Sequence, residues 1–302
     1  MVQGRNPKCV VALAAYNGAP WVKEQIDSIL SQKGVNVVVF VSVDPSSDGT
    51  GELIEELGKN DSRVVLLPGA GRFGSAGKNF FRLVRDIDLS GYDYLAFADQ
   101  DDVWCEDKLL CAHKKITELG CDAYSSNVTA VWPDGRERLV NKAQPQRKWD
   151  FLFEAAGPGC TYVFTIRLAK AVQRLVEERW DEVNEIWLHD WLFYAFARVN
   201  GYAWYIDSRP GLRYRQHERN QVGVNSGWTS MKTRLNKIRS GWARDQCRFV
   251  ADVAGVDRNI AIRRALEDGW KGNLVLASKA WQARRKPSAR FGFFLLCVFN
   301  QF

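Results

Sequence analysis

The chain reads as an α/β protein. A mostly parallel sheet carries helices on both faces, and a helical extension follows at the C-terminal end. Three features carry this reading. Over roughly the first 120 residues, short apolar runs of strand length alternate with segments whose apolar residues recur at helical spacing. The 302 residues are 46% apolar and 25% charged, a globular composition at a length suited to one large α/β domain with an appendage. Acidic residues stand directly after the second and fourth runs, where the ligand-binding loops of an open α/β sheet collect.

Residues 10–15 form the first strand. Pro20 opens a helix with Val22, Ile26, Ile29 and Leu30 on one face. The valine-rich stretch 35–43 is a buried strand. Asp48 or Thr50 caps a second helix that carries Leu53, Ile54 and Leu57. Residues 64–67 are a third strand, Phe80, Phe81 and Val84 mark a third helix, 94–98 are a fourth strand, and Leu109, Ala112 and Ile116 lie on the helix after it. Right-handed crossovers place the loop after each strand at one edge of the sheet. Beyond Ala123 the pattern is mixed. Segments 128–132 and 136–140 flank Pro133-Asp134-Gly135 as a hairpin, 160–164 reads as a strand, 187–199 as a helix and 212–217 as a late strand. A linker falls near 222–227, and helical patterns dominate from Trp228.

Charge and cysteine usage narrow the function classes. Lys and Arg number 42 against 35 Asp and Glu, a net charge of +7 that favours anionic partners. No apolar run reaches the ~18 residues of a membrane span, and the polar stretch 1–8 has no signal-peptide pattern. The seven cysteines are an odd number with no C-x-x-C pair, which points to a reducing cytosol and away from a disulfide framework or structural zinc. The three histidines are too few for a His-rich metal cluster.

The topology brings Asp44, after the second strand, to the same crevice as Asp99, Asp101 and Asp102, after the fourth. Asp99-Gln100-Asp101 puts two carboxylates one residue apart in a tight turn, so that both approach one hard cation. Mg²⁺ or Mn²⁺ takes such ligands and bridges them to substrate phosphates. The plainer alternative is a solvated turn in which Asp102 caps the next helix.

These segments carry a resemblance. Residues 11–18, Val-Ala-Leu-Ala-Ala-Tyr-Asn-Gly, resemble the opening strand and loop of family 2 glycosyltransferases, which have the Rossmann-like GT-A fold. Residues 43–50 resemble that family's D-D-G-S-x-D-x-T segment, with Val43 for the first Asp and Pro45 for the Gly. Residues 97–104, Phe-Ala-Asp-Gln-Asp-Asp-Val-Trp, are similar to the D-Q-D-D-x-W form of the rhamnosyltransferase-like subgroup. Leu188-His189-Asp190-Trp191-Leu192 resembles the later E-D-x-x-L segment with His189 for Glu, and Tyr214-Arg215-Gln216-His217 a Y-R-x-H segment. The motifs keep the family order over about 9–225, and 226–302 match nothing further.

The resemblance implies a catalytic, nucleotide-sugar-binding GT-A domain over 1–225 and a basic helical extension over 226–302. It implies an inverting transfer of a sugar, rhamnose or a similar hexose, from a dTDP- or UDP-sugar to a hydroxyl of a glycan or lipid-linked acceptor in cell-surface polysaccharide assembly. Asp190 would be the general base, or else only an acid stabilising the start of its helix. Asp101, with Asp99 beside it, would hold Mg²⁺ or Mn²⁺ against the leaving diphosphate. His217, among Arg213, Arg215 and Arg219, would touch the metal or diphosphate, or be a polar surface residue. The backbone at Ala14, Ala15 and Tyr16 would line the base pocket, with Asp44 accepting from the nucleobase or acting as a turn residue. Asp99 would also contact the ribose, and Lys78 would pair with donor phosphate or be a solvated helix-start lysine. Trp104, Gly159, Cys160 and His189 would shape the acceptor side, where the glycines around 157–161 serve equally as turn formers.

Two rival readings remain. Gly69-Ala70-Gly71-Arg72-Phe73-Gly74 matches the G-x-G-x-x-G of NAD(P)-binding proteins between a strand and a helix, although Pro68 intervenes and two βα units precede it. A non-catalytic sugar- or nucleotide-binding module is the other. Residues 209–248 hold ten Lys and Arg against two Asp and Glu, and Arg284, Arg285, Lys286 and Arg290 flank the apolar stretch 291–299. That stretch is an interfacial anchor on an anionic membrane, the enzyme then being cytoplasmic and peripheral, or a core segment closing the domain. Nucleic acid is not expected, since Trp228, Trp242, Trp270 and Trp281 are spaced for helix packing rather than base stacking.

Overall fold

The computed structural model describes residues 5–217 and 240–302. In chain order, β1 (Lys8–Ala15), α1 (Val22–Leu30), β2 (Asn36–Val43), α2 (Thr50–Asn60), β3 (Val64–Leu66), α3 (Ala76–Asp86) and β4 (Tyr94–Asp99) are the alternation expected from the sequence. There follow β5 (Val103–Trp104), α4 (Lys108–Leu119), β6 (Ala123–Ser126), β7 (Val128–Val131), β8 (Glu137–Val140), β9 (Val163–Thr165), α5 (Ile166–Glu178), α6 (Trp180–Val183), α7 (His189–Val199), β10 (Trp204–Asp207) and β11 (Leu212–Arg215). The C-terminal helices are α8 (Trp242–Ala254), α9 (Ala261–Ala265), α10 (Gly269–Ala283) and α11 (Pro287–Val298).

Seven strands form the main sheet in the order β10-β6-β9-β4-β1-β2-β3, and β5-β11-β7-β8 form a smaller one. β1 pairs in parallel with β2 and β4, while β9 runs antiparallel between β4 and β6. β1 shows why its sequence is an unbroken apolar run. Cys9, Val11, Leu13 and Ala15 enter one apolar cluster, and Val10, Ala12 and Ala14 enter the other. Successive side chains point to opposite faces, and both faces are covered. The hairpin is present, with Val131 opposite Glu137.

Some local expectations change. Residues 160–164 are not one strand: Gly159–Thr161 is a 3₁₀ turn, closed by Thr161 N and Oγ1 donating to Pro158 O (3.0 and 2.7 Å), and β9 begins after it. Asp102 caps no helix, because α4 starts only at Lys108. The linker at 222–227, the boundary at 225/226, Arg219 and Trp228 lie outside the described residues.

The C-terminal helices complete the larger core. Cys247, Val250, Leu276, Ala280 and Phe293 join the cluster that holds Phe81, Leu192 and Phe193. The seam is pinned by Asp150, which is fully buried. Its Oδ1 takes Arg198 (3.0 Å), and its Oδ2 takes Tyr194 Oη (3.0 Å) and Arg285 (3.2 Å). The 291–299 stretch falls largely on α11, which buries Phe293 and Cys297 in the core and exposes Phe291.

Candidate active site

Loops after β1, β2, β3 and β4 meet at one edge of the main sheet, and polar motif residues tie them together. Asn17 N donates to Ser46 Oγ (3.0 Å), Gly18 N to Thr50 Oγ1 (2.8 Å) and Ala19 N to Asp48 Oδ2 (3.1 Å). Neither Asp48 nor Thr50 is the cap of α2: that position is Gly49, with no side-chain cap, and Asp48 Oδ1 accepts from Thr50 N (3.2 Å) from one residue before it. Gln100 pairs with both backbone groups of Tyr16, accepting from its N–H (2.7 Å) and donating to its carbonyl (2.8 Å). Ala14 and Ala15 are buried, and Tyr16 is 47% exposed above them.

Asp44 is buried, and its two oxygens accept from Phe73 N (3.0 Å) and Gly74 N (2.8 Å). The glycine-rich loop thus closes on the chain's own carboxylate. Two of the loop's N–H groups are thus committed to Asp44, and a buried carboxylate stands where a dinucleotide reading would put a pyrophosphate. Lys78 lies half-buried in the first turn of α3, its N–H donating to Ser75 Oγ (3.3 Å).

The turn after β4 concentrates acid. Asp102 is fully buried; its Oδ1 accepts from Arg215 N (3.3 Å), and its Oδ2 has no hydrogen-bond partner among the described residues. Asp99, Asp102 and Cys160 present ligand atoms within 4.8 Å of one another. Asp101 Oδ2 lies 2.7 Å from His217 Nε2, and the His217 ring stacks on Trp21 at 4.1 Å. Arg215 donates to Asp101 O (2.9 Å) and to Glu24 (2.5 Å), fixing β11 against this turn. Burial pushes all three carboxyls above their ordinary value. Repulsion from Asp101 adds to this at Asp99, and repulsion from Asp99 and Asp101 adds to it at Asp102. The Cys160 thiol is pushed well up by the same burial and so stays protonated. The ligands on offer are therefore hard oxygens, and an orphaned carboxylate oxygen beside mutually repelling acids fits a divalent cation.

Beneath the turn, Lys108 is buried with its ammonium 3.2 Å over the Trp104 ring, and burial pushes it down to about 8. Trp104 is 3% exposed, so its ring lies in the core and not on the crevice wall.

Asp190 sits in the first turn of α7. Its Oδ1 accepts from Trp191 N (2.7 Å), and Gly159 N–H also bonds to it. Burial pushes its carboxyl up to about 6, against the pull of those N–H groups and of Lys142. Gly159 has to lack a side chain, because a Cβ there would stand 2.5 Å from His189 Nε2 and 3.2 Å from Asp190 Cβ. The His189 ring is buried 4.0 Å from Phe80, and burial pushes it down to about 3, so it is neutral. Asp190 is close enough to Asp99 to raise its carboxyl further.

The fold thus gathers Asp99, Asp101, Asp102, His217 and Cys160, with Asp190 and Gly159 alongside. Trp104 and His189 are core residues. Lys108, Lys142, Trp21 and Tyr214 belong to this region without having been assigned a role from the sequence. For Tyr214 the only available signal was its place in the Y-R-x-H segment; the lysines follow no pattern.

Residues 10–174 match the family model Glycosyl transferase family 2. The dTDP-rhamnosyl transferase RfbG of Shigella flexneri is 41% identical over 291 residues, covering 96% of this chain and 100% of that protein. The UDP-Glc:alpha-D-GlcNAc-diphosphoundecaprenol beta-1,3-glucosyltransferase WfaP of Escherichia coli is 29% identical over 99 residues, 33% of this chain and 37% of its own length. Among solved structures, S. aureus TarS 1-349 in complex with UDP-GlcNAc superposes with a TM-score of 0.55 at 15% identity, covering 97% of this chain and 88% of that one. The chain belongs to glycosyltransferase family 2, with the GT-A fold and a C-terminal helical region.

Proposed function

We propose that this glycosyltransferase moves rhamnose from dTDP-rhamnose, with inversion, to a hydroxyl of a lipid-linked glycan. The donor rests on the likeness to RfbG, which spans nearly the whole chain. One observation supports the site: the charge of Asp190 is felt at Asp99, the acid that stands beside Asp101 in the turn after β4.

The acceptor hydroxyl lies against Asp190. Its oxygen attacks the anomeric carbon from the face opposite the diphosphate. A C–O bond forms as the bond to the phosphate oxygen breaks, and the hydroxyl proton passes to Asp190. A carboxyl lifted to about 6 is a stronger base than a solvated one and is still ionised at neutral pH. Asp101, Asp99 and His217, with the unpartnered oxygen of Asp102 beside Asp99, would hold Mg²⁺ or Mn²⁺, which would supply positive charge to the departing diphosphate. Ala14, Ala15 and Tyr16 line the base pocket. Asp44 keeps lone pairs beyond its two backbone bonds, and these accept from the nucleobase. Lys78 faces donor phosphate, and Gly159, backed by His189 and Cys160, lines the acceptor side.

The lipid link draws on WfaP, named for a diphosphoundecaprenol-linked acceptor. It also draws on the C-terminal helices, where Trp270, Trp281, Phe291 and Phe299 are exposed in a basic region suited to an anionic membrane surface. No helix among the described residues is long and apolar enough to cross a membrane.

The deciding experiment is a panel of nucleotide sugars with Mg²⁺ or Mn²⁺, read as released nucleoside diphosphate. The expected result is turnover of dTDP-rhamnose that stops on chelation. Turnover of a different donor with none of dTDP-rhamnose would overturn the donor assignment.

A further inference from the structure

A cavity of about 370 Å³ opens between α7, α8 and α11, lined by Trp191, Trp242, Phe293, Leu296, Gly292 and Arg284 among others. It lies within the ~300–1,000 Å³ range of small-molecule sites and, like them, is apolar with few polar groups. Its wall includes Trp191, the residue after Asp190, whose indole N–H is anchored on Phe151 O (2.9 Å). Trp191 and the proposed base are consecutive residues in the first turn of α7, so one helix end carries both. Gly292 is in the interior of α11, where glycine costs about 1 kcal/mol of helix stability against alanine. Yet an added Cβ would meet nothing within 4 Å. No packing constraint demands glycine there, and its effect is to keep the cavity open.

The charge beside the cavity is cationic. Arg284 donates to Phe153 O (2.6 Å), while its buried Nε has no partner among the described residues. Lys142 is not part of the cavity wall, but its ammonium is within the electrostatic reach of Glu154, Arg285, Arg284 and Asp190. Taken from the cavity, Arg284 comes first, on its wall, and Lys142 is within electrostatic reach of both Arg284 and the carboxylate of Asp190. An acceptor that matches this arrangement has a branched hydrocarbon tail, a diphosphate and then a sugar hydroxyl.

We infer that this cavity holds the first isoprene units of a polyprenyl-diphosphate-linked acceptor, with Arg284 and Lys142 facing its diphosphate. The inference rests on the transferase reading above and adds to it the place where the lipid is held.

Binding of farnesyl diphosphate, followed by tryptophan fluorescence in EDTA with saturating dTDP to block the donor site, tests it. Farnesol and inorganic diphosphate are the comparison ligands. The intact protein is expected to bind farnesyl diphosphate at least tenfold tighter than farnesol and not to bind inorganic diphosphate measurably. Gly292→Phe, which fills the open space, should weaken farnesyl diphosphate at least tenfold without lowering Tm; Gly292→Leu serves if the larger ring disturbs folding. Lys142→Gln should weaken farnesyl diphosphate and leave farnesol unchanged. No binding by the intact protein, including the case where another part of the chain fills the cavity, overturns the inference, as does full affinity in both Gly292 variants. Donor turnover by the intact protein separates the two readings. Turnover without farnesyl diphosphate binding sinks only the lipid site, and binding without turnover of any nucleotide sugar sinks only the transferase assignment.

Discussion

Asp150, at the seam with the C-terminal helices, and the acidic turn at 99–102, at the sheet edge, both hold carboxylates out of water. Around Asp150 both carboxylate oxygens are answered within the chain, although the buried Nε of Arg285 has no partner among the described residues. Arg198 takes one oxygen, Arg285 and Tyr194 the other, and Arg198 and Arg285 reach onward to Arg147 O (3.0 Å) and Ala155 O (2.5 Å). At the turn, three acids repel one another, His217 answers Asp101, one oxygen of Asp102 has no partner among the described residues, and the buried Lys108 ammonium lies over an indole ring. A carboxylate satisfied by its own fold joins parts of the molecule. One left unsatisfied keeps its electrostatic capacity for a ligand, and groups with perturbed ionisation accordingly gather at sites of function.

Substitutions can break this contrast, beginning with the largest effect. Asp190→Asn should keep donor affinity, read by equilibrium titration, and lower the transfer rate about 10³- to 10⁴-fold, the upper range for loss of a positioned base. A variant that transfers normally would remove Asp190 from the chemistry. Asp150→Ala should destabilise the protein by about 3–5 kcal/mol in denaturant unfolding, because two buried guanidinium groups lose their counter-charge. A loss under about 1 kcal/mol would mean that the seam does not depend on it. Asp99→Asn should act in the opposite direction in metal-free protein, stabilising it by about 1 kcal/mol through relief of repulsion, while the rise in Tm on adding Mn²⁺ disappears. Destabilisation of the same size as at Asp150 would show the two sites to be alike.

The pH dependence sharpens the comparison. Burial lifts the Asp190 carboxyl from 3.8 to about 6, so the folded chain holds that proton more tightly than the unfolded one. Its favourable contribution is full below about 4 and fades as pH rises through 6. Activity runs the other way, since the base has to be ionised, and kcat/KM should climb through about pH 6 and level above it. In Asp190→Asn the stability change over this window should flatten. An unchanged limb would locate the titration elsewhere.

Much of the architecture was legible in the residues for physical reasons. Strands covered on both faces need continuous apolar runs, and β1, β2 and β4 supply them. The helices between show one apolar stripe each. β6 and β10 escaped because their polar residues are satisfied only across the fold: Ser125 bonds to Ala156 O and Trp204 Nε1, and Tyr124 Oη donates to Asp207. In the site, the spacing of Asp99, Asp101 and Asp102 after a strand was enough to point to a cation. Trp104 and His189 stand in motifs beside acids, and nothing local tells that their rings turn inward to Lys108 and Phe80.

The linear order of residues determined the alternation of strands and helices, the acids that follow β2 and β4, and the motif series of the family, because each depends on neighbours within a few positions. Tertiary structure alone decided that Asp44 closes the glycine-rich loop, that His217 reaches Asp101 across 116 positions, and that Arg284 and Trp191 share one cavity wall. Those outcomes depend on how sheet and helices stack, and burial then sets the charge each group can carry.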